Sequence, residues 1–222
     1  MSELPSQARV VIIGGGVVGV SCAYHLAKAG WTDCVLLEKN ELTAGSTWHA
    51  AGNVPTFSTS WSIMNMQRYS TELYSNLGDE VDYPMNYNVT GSIRLGHSKE
   101  RIQEFQRAKG MGLYQGMNIE ILDNNEIKKL YPFIETHEIQ GALYDPADGD
   151  IDPAQLTQAL AKGARQLGVK IVRFCSAEGI KKENDMWEII TEKGSISAEI
   201  IVNAAGYYCL LYTSPSPRDG RI

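Results

Sequence analysis

The chain has 222 residues, 43% of them hydrophobic and 21% charged, which is the composition of a folded protein of one or two domains. Its formal net charge of −6 disfavours a general nucleic-acid binder, because such proteins need a basic surface to neutralise phosphates. No apolar run approaches the roughly 20 residues that cross a bilayer, so we expect no membrane insertion.

The N-terminus and the cysteines give further limits. Residues 1–9 lack the basic and apolar regions of a secretory signal, so we expect a cytoplasmic protein. The cysteines form no CxxC pair and no metal-ligand spacing with the histidines. We therefore expect neither a disulfide framework nor a metal site.

Two buried strands flank a glycine-rich turn near the N-terminus. Residues 10–13 are a short apolar run of the kind that a buried parallel strand requires, and Cys34–Leu37 is a second one. Residues 20–29, between them, have helical spacing, with Gly30 placed to end the helix. The pattern predicts one βαβ unit.

The remaining predicted elements fall into two groups. Residues 80–148 mix strands and helices without a βαβ rhythm, which predicts an inserted second domain. Asp152 and Pro153 then supply the cap and first turn of a helix that ends at Gly168. The other predicted helices are 60–77 and 98–109, and the other predicted strands are 89–95, 140–144, 169–174, 180–182, 187–191 and 200–203.

The first turn matches the GxGxxG pattern of dinucleotide-binding proteins between Gly14 and Gly19, in the required position between a strand and a helix. Gly14 permits the tight turn, and Gly16 lets a pyrophosphate approach the main chain. Gly19 allows the helix to pack closely on the strand. The pattern predicts a dinucleotide site, with a glycine-rich turn that binds no ligand as the alternative.

Residues after these glycines would hold the phosphates and the ribose. The amides of Val17 and Val18 lie at the helix N-terminus, where the helix dipole favours an anion. Glu38 ends the second strand, at close to the roughly 20-residue spacing at which a carboxylate accepts hydrogen bonds from the adenosine ribose. This motif does not distinguish FAD from NAD.

The segment 45–53 favours FAD. It reads GSTWHAAGN and is too rich in small and polar residues to be core packing. Such a loop lets the main chain lie against a flat ring system and donate hydrogen bonds to it. Nicotinamide enzymes need no second loop at this place, whereas a flavin that continues from its pyrophosphate does.

On these motifs the sequence resembles the D-amino-acid-oxidase-like flavoprotein superfamily, and within it the dimethylglycine dehydrogenase and sarcosine dehydrogenase families. The resemblance covers residues 8–206, and residues 41–52 are its most specific part. Further matching segments are 36–39, 91–95, 148–153 and 201–206. The resemblance implies that His49 is bonded to the flavin 8α carbon; the alternative is a histidine that only makes hydrogen bonds within the loop.

The same resemblance implies a set of cofactor-binding residues, of which Ala177 stands where the family often has valine. In chain order they are Gly14, Gly16, Val17, Val18, Gly19, Glu38, Lys39, Gly45, Ser46, Thr47, Trp48, His49, Ala50, Ala51, Gly52, Asn53, Ala177, Ala205 and Gly206. Catalytic residues are not predicted, because the substrate-domain residues that would complete the site lie beyond this chain.

The implied fold is α/β, with a doubly wound, Rossmann-like FAD-binding domain formed by residues 1–78 and 149–206. Residues 79–148 would be part of an inserted mixed α+β substrate domain, truncated at the C-terminus. After Gly206 the sequence resembles a translated sequencing adapter, so residues 207–222 are expected to be a non-native tail. A natural Ser/Pro linker is the alternative.

The implied function is oxidation of an N-methylated glycine, dimethylglycine or sarcosine, by hydride transfer to flavin. Water would convert the resulting iminium to the demethylated amine and formaldehyde, a reaction of one-carbon metabolism. The resemblance also implies electron-transfer flavoprotein as acceptor and tetrahydrofolate in a further domain. An oxygen-using amine or amino-acid oxidase of the same fold and a non-catalytic FAD-binding fragment are the alternatives.

Other polar residues are assigned structural roles. His25, His97 and His137 are expected at the surface or in packing. The alternating acids between 145 and 152 resemble a cation site, but acids around a glycine before a helix are more simply explained as a turn and a helix cap.

Overall fold

The fold is taken from a computed structural model that describes residues 3–211. The helices within this range are α1 (Val17–Lys28), α2 (Trp61–Val81), α3 (Lys99–Tyr114), α4 (Asn124–Leu130) and α5 (Pro153–Gln166). The strands are β1 (Gln7–Ile13), β2 (Cys34–Leu37), β3 (Asn53–Val54), β4 (Tyr87–Asn88), β5 (Ser92–Gly96), β6 (Glu120–Leu122), β7 (Gly141–Asp145), β8 (Gly149–Ile151), β9 (Lys170–Val172), β10 (Ala177–Glu183), β11 (Met186–Thr191) and β12 (Gly194–Asn203). Short 3-10 helices cover Thr47–His49 and Gly206–Leu211.

Contacts divide the chain into two compact units. The first unit contains Met1–Ala51, Leu77–Met85 and Asp152–Ile222, and the second contains Gly52–Asn76 and Asn86–Ile151. These bounds differ from the sequence-based ones, which placed residues 52–76 and 149–151 with the first domain and residues 79–85 with the second. The difference arises because β3 pairs with β8, and β8 pairs with β4, all within the second unit.

A six-stranded sheet in the order β10-β11-β12-β1-β2-β9 organises the first unit. The strands β12, β1, β2 and β9 run parallel, with Val11 opposite both Val35 and Ile201. Val11 and Leu36 are completely buried, so the prediction of buried parallel strands around the glycine turn is confirmed.

The last strand is longer than predicted. It begins at Gly194 rather than at residue 200, because its first half pairs with β11 in an antiparallel hairpin. Ile196 and Ala198 are buried, and exposed or half-buried serines alternate with them. This alternation of polar and apolar residues is typical of a half-buried strand, and it is the sequence signal that could have predicted the longer strand.

Helices α1 and α5 pack together in the first unit. Gly163 of α5 makes the packing close, since a Cβ there would lie 2.8 Å from the Tyr24 ring. The predicted cap is confirmed: the Asp152 carboxylate accepts hydrogen bonds from the N–H groups of Ala154 and Gln155, at 2.8 and 3.0 Å.

The end of α2 joins the same unit through polar contacts to α1. The Tyr24 hydroxyl donates to Glu80 at 2.9 Å, and the Lys28 ammonium lies 3.1 Å from the same carboxylate oxygen. Hydrogen bonds from Lys28 and Tyr24 lower the pKa of Glu80. The predicted helix 60–77 therefore continues to Val81.

The second unit contains two three-stranded sheets, β3-β8-β4 and β5-β7-β6, together with α3 and α4. One cluster of its core includes Met64, Phe105 and Ile119. The predicted strand 89–95 is shorter in the structure, where residues 89–91 precede β5. The mixed α+β character predicted for this part of the chain is confirmed, because its β-pairs are antiparallel and no parallel βαβ unit occurs among its described residues.

Other sequence predictions concern single features. Among residues 3–211, the four cysteines Cys22, Cys34, Cys175 and Cys209 form no disulfide bond. Within the part of the chain that the structure covers, no helix combines the length and the apolarity that a bilayer crossing demands. Of the predicted tail, residues 207–211 belong to the second 3-10 helix, and residues 212–222 lie outside the described residues.

Candidate functional site: a glycine turn between two parallel strands

The glycine turn lies between the ends of β2 and β12. The Gly14 amide donates to the Leu37 carbonyl at 2.9 Å, and the backbone of Gly14 has a φ of +114°. A Cβ at this position would lie 2.3 Å from the carbonyl oxygen of Ala204. Both the backbone angle and the close strand therefore require glycine here.

Gly19 brings helix α1 against the turn. A Cβ at Gly19 would lie 2.0 Å from the Gly14 carbonyl oxygen, which is closer than any real contact. Gly16, the N-cap of α1, has more room, and a Cβ there would meet only the Thr47 hydroxyl at 3.0 Å. The close packing predicted for Gly19 is thus present, and the space beside Gly16 is largely open.

The N-terminus of α1 has no acidic side chain in its first turn, and Gly16 provides no side-chain cap. The first four N–H groups of an α-helix lack partners within the helix. The Val17 amide donates to the Thr47 hydroxyl at 3.0 Å, and Val18 is 70% exposed. This helix end therefore keeps a positive dipole and an accessible first turn for an anion.

Glu38 is fixed beside the turn by main-chain donors. Its Oε2 accepts the Gly15 amide at 2.6 Å, and its Oε1 accepts the Asn40 amide at 2.8 Å. Each carboxylate oxygen has two acceptor positions, so both can accept a further hydroxyl. The GxGxxG pattern leaves the residue at Gly15 unspecified, but a Cβ there would lie 2.8 Å from the Glu38 side chain.

Lys39 lies close to Glu38 but has a different neighbour. Its ammonium is 3.3 Å from the centre of the Tyr208 ring, in the 3-10 helix that follows β12. This cation–π contact joins the segments that follow β2 and β12, at the edge where these parallel strands end.

The segment after β2 forms an exposed loop with one buried anchor. Thr47 is buried, whereas Gly45, Ser46, Ala50 and Ala51 are exposed. A Cβ at Gly45 would meet nothing, so the protein itself does not require glycine there.

Trp48 and His49 present their rings to the surface of the first unit. Trp48 is 59% exposed, and its ring centre lies 3.9 Å from that of His49, at an interplanar angle of 33°. The His49 side chain is also exposed. The imidazole is therefore accessible to a group that approaches the loop.

Gly52 and Asn53, predicted to end the flavin loop, belong to the second unit. A Cβ at Gly52 would lie 2.1 Å from the Ile151 carbonyl oxygen, and its φ is +80°. Asn53 pairs with Asp150 of β8. Strand pairing alone thus explains the glycine at position 52.

The other predicted residues lie on a strand of the six-stranded sheet or directly after one. Ala177 begins β10 and is buried opposite Thr191. The Cα of Ala205 would be 3.1 Å from a Cβ at Gly14, so the end of β12 does meet the glycine turn. Gly206 has a φ of +58° and begins the second 3-10 helix.

Residues 9–219 match the sequence profile of the family described as "DAO: FAD dependent oxidoreductase". The chain belongs to this family. The resemblance to the D-amino-acid-oxidase-like flavoproteins inferred from the motifs is therefore confirmed.

Two curated relatives and one solved structure show how far the likeness extends. The chain is 43% identical over 207 residues to mitochondrial dimethylglycine dehydrogenase of Rattus norvegicus, covering 93% of this chain and 24% of the rat protein. It is 33% identical over 212 residues to mitochondrial sarcosine dehydrogenase of Mus musculus, covering 92% of this chain and 23% of the mouse protein. L-proline dehydrogenase from P. horikoshii has a TM-score of 0.87 and 28% identity, covering 94% of this chain and 55% of that one. This chain spans about a quarter of the length of the curated relatives.

The residues around the glycine turn fit the dinucleotide half of FAD. The open space at Gly16 and the exposed first turn of α1, which has no acidic side chain, suit a pyrophosphate, and the Glu38 carboxylate has acceptor capacity left for ribose hydroxyls. Among residues 3–211, no cluster of three histidine, cysteine or acidic side chains could hold a metal ion.

A groove of about 530 Å³ is lined by a different set of residues. Leu42 and Gln158 are among its lining residues, together with the cations Arg165, Lys170 and Arg173. Burial and the charge of Arg173 lower the pKa of Arg165. None of the predicted cofactor residues lines this groove, so we do not assign it to the cofactor.

The bond between Thr47 and the start of α1 gives a stability prediction. Thr47→Val keeps the side-chain shape but removes the acceptor for the Val17 amide, so the free energy of unfolding is expected to fall by about 1 kcal/mol. Thr47→Ser keeps the acceptor and serves as the control. Urea unfolding measures both variants, and equal stability of the two would contradict the assigned bond.

Proposed function

We propose that this chain is part of an FAD-dependent enzyme that oxidatively demethylates an N-methylated glycine, with dimethylglycine preferred to sarcosine. The main support for this proposal is the 43% sequence identity to a dimethylglycine dehydrogenase, compared with 33% identity to a sarcosine dehydrogenase. When bound, FAD would supply the hydride acceptor for the substrate carbon.

The chain's own residues would bind and orient this cofactor. The Val18 amide would bind the pyrophosphate, the Val17 amide would bind it in exchange for its bond to Thr47, and Glu38 would bind the ribose. The absence of an acidic side chain from the first turn of α1 supports the first role, because a carboxylate there would repel phosphate. The pre-formed bonds from Gly15 and Asn40 to Glu38 support the second, because they fix the carboxylate before the ribose arrives.

Covalent attachment through His49 belongs to the same proposal. An imidazole must be accessible in order to reach the flavin 8α carbon, and the exposed ring of His49 supports that requirement. Trp48, whose ring centre lies 3.9 Å away, limits the orientations of the imidazole. The remaining residues of the loop 45–53 would lie along the flavin.

Further parts of the proposal concern the whole protein. Electron-transfer flavoprotein is proposed as the acceptor, and tetrahydrofolate is proposed as a ligand of a further domain. A cytoplasmic location remains a proposal, whereas the rat and mouse relatives are both named as mitochondrial proteins.

Anaerobic addition of dimethylglycine to the FAD-loaded full-length enzyme is expected to bleach the flavin absorbance near its visible maximum. Sarcosine should bleach it more slowly, and glycine, which has no N-methyl group, should not bleach it. Because the amine lone pair assists hydride departure, bleaching should become faster as the pH rises through the amine pKa in the site.

The alternatives give different results in the same assay. Hydrogen peroxide formed in proportion to substrate in air would favour an oxygen-using oxidase of the same fold. A flavin spectrum that no methylated amine changes would favour a binding module without turnover and would contradict the proposed activity.

A further inference from the structure

Two carboxylates are buried side by side in the second unit. Asp145, at the end of β7, is 2% exposed, and Asp148, in the turn before β8, is 3% exposed. The hydroxyl of Thr56 lies between them, 2.7 Å from Asp145 Oδ2 and 2.9 Å from Asp148 Oδ1. The sequence pattern assigns the acids between 145 and 152 to a turn and a helix cap, and Asp145 does accept the Ala147 amide in this turn while Asp152 caps α5. The burial of Asp145 and Asp148 around Thr56 is an additional feature.

The two carboxylates have unequal sets of donors. Asp148 accepts the Thr56 amide at 2.6 Å and the Ser92 hydroxyl at 2.5 Å, and it pairs with the Arg94 guanidinium at 3.4 Å. Asp145 accepts one main-chain donor, the Ala147 amide, at 3.1 Å. The environment therefore stabilises a negative charge on Asp148 much better than on Asp145.

A count of hydrogen atoms shows that one proton is missing from this arrangement. A threonine hydroxyl has a single hydrogen, so Thr56 can donate to only one of the two carboxylates. If both acids were ionised, the other contact would place two oxygen lone pairs 2.7 or 2.9 Å apart in a buried site. One carboxyl group must supply the second hydrogen.

We infer that Asp145 and Asp148 hold one proton between them: Asp145 carries it on Oδ2 and donates to Thr56, and the Thr56 hydroxyl donates to an ionised Asp148. Burial raises the pKa of Asp145, bonds from Thr56 and Ala147 oppose this, and the charge of Asp148 raises the pKa further. Other titratable groups near the pair are Arg94 from β5 and Tyr87 from β4.

The pair does not have the features of a cation site. Hydrogen atoms from Thr56, Ser92 and Ala147, together with the Arg94 guanidinium, point at the carboxylate oxygens that a metal ion would need. Across residues 3–211 there is also no group of three candidate ligands. The arrangement stores a proton rather than a metal.

The hydrogen bonds between Thr56 and the two acids position the segment that follows the loop 45–53. Thr56 follows β3, whose Asn53 and Val54 pair with Asp150 and Gly149 of β8. Both polar groups of Thr56 are therefore tied to the turn that contains Asp148. If the proposed flavin loop is correct, Asp145 and Asp148 are positioning residues for its last residue, Asn53; the shared proton itself does not depend on flavin.

The sign of the pH effect follows from the raised pKa of Asp145. A carboxyl group whose pKa is higher in the folded protein than in the unfolded chain favours folding most below the unfolded value, about 3.9. Its contribution is lost as the pH rises through the folded value. The hydrogen bond between Asp145 and Thr56 should therefore weaken when the pH exceeds that value. Tyr87, whose pKa is raised by burial and by Asp148, stays neutral there.

Two isosteric variants of the 222-residue chain separate the two acids. Asp145→Asn mimics the protonated acid, because its amide can donate to Thr56 and its carbonyl can accept from Ala147; we expect a folding equilibrium constant within about threefold of wild type. Asp148→Asn places an amide against donors, so we expect a decrease of about 10- to 100-fold. Equal losses in the two variants would overturn the inference.

Infrared spectroscopy detects the proton directly in the wild-type chain. This test therefore does not depend on the stability of a variant. The wild-type chain at neutral pH should show the C=O stretch of one buried carboxylic acid, and Asp145→Asn should lack it. That stretch should disappear as the pH is raised, and stability should fall over the same range. Absence of the stretch in the wild-type chain would overturn the inference without bearing on flavin binding or turnover.

Thr56→Val and Thr56→Ser complete the test. Serine retains the hydroxyl and should preserve the stretch and its pH dependence. Valine removes the group through which the proton is shared, and ionisation of Asp145 should then no longer follow the wild-type pH profile. A valine variant with an unchanged profile would contradict the role of Thr56.

Discussion

Acid precipitation of the FAD-loaded chain is expected to carry the yellow flavin down with the polypeptide, and His49→Ala is expected to release all of it into the supernatant. The reason is the proposed bond between an imidazole nitrogen of His49 and the flavin 8α carbon. Its ring is exposed at the end of a short 3-10 helix and lies against Trp48, so a flavin that reaches the loop can contact it. Absorbance of pellet and supernatant measures the result.

A second histidine provides the matched control. His137 has a side chain that is 74% exposed and lies in the second unit, so His137→Ala should retain the flavin in the pellet as the wild-type chain does. Release of the flavin from the wild-type chain would show that the cofactor is not covalently bound. Retention in His49→Ala would show that another residue forms the bond.

The βαβ unit could be predicted because its signals are local. The apolar runs at 10–13 and in β2, the glycines between them and the helical spacing after them lie within 37 residues of the N-terminus. The steric roles predicted for Gly14 and Gly19 agree with the structure for the same reason, since a side chain at either position would overlap neighbouring main-chain atoms.

The contacts that hold the site together could not be predicted, because they join distant residues. The bond from Val17 to Thr47 spans 30 positions, and that from Gly15 to Glu38 spans 23. No periodicity in the sequence encodes such pairs. The middle glycine of the motif, Gly15, is explained only once Glu38 is known to lie against it.

The buried acids illustrate the same limit. Alternating acids before a helix are typical of a turn and a helix cap, and Asp145 accepts the Ala147 amide in the turn while Asp152 caps α5. Asp145 and Asp148 also surround Thr56, which lies 89 and 92 positions away in the sequence. Whether such an acid only caps a helix or is also buried depends on which distant segment of the chain packs against it.

Gly19→Ala is expected to lower the free energy of unfolding by at least about 2 kcal/mol, because an added methyl group would overlap main-chain atoms. Its Cβ would lie 2.0 Å from the Gly14 carbonyl oxygen and 3.3 Å from the Ala204 side chain. Neither the turn nor β12 can move away without breaking the strand pairs beside it. The helix N-terminus would shift instead, so FAD should also bind at least about tenfold more weakly.

Gly110→Ala separates this clash from the general effect of a helical glycine. Gly110 lies within α3 on an exposed face, and a Cβ there would meet nothing within 4 Å. Alanine should therefore raise the free energy of unfolding by about 0.5–1 kcal/mol through helix propensity alone. Urea unfolding of both variants measures the contrast, since the same substitution on two helices should act in opposite directions. A Gly19→Ala chain as stable as wild type would mean that helix α1 does not pack on the turn as closely as the structure requires.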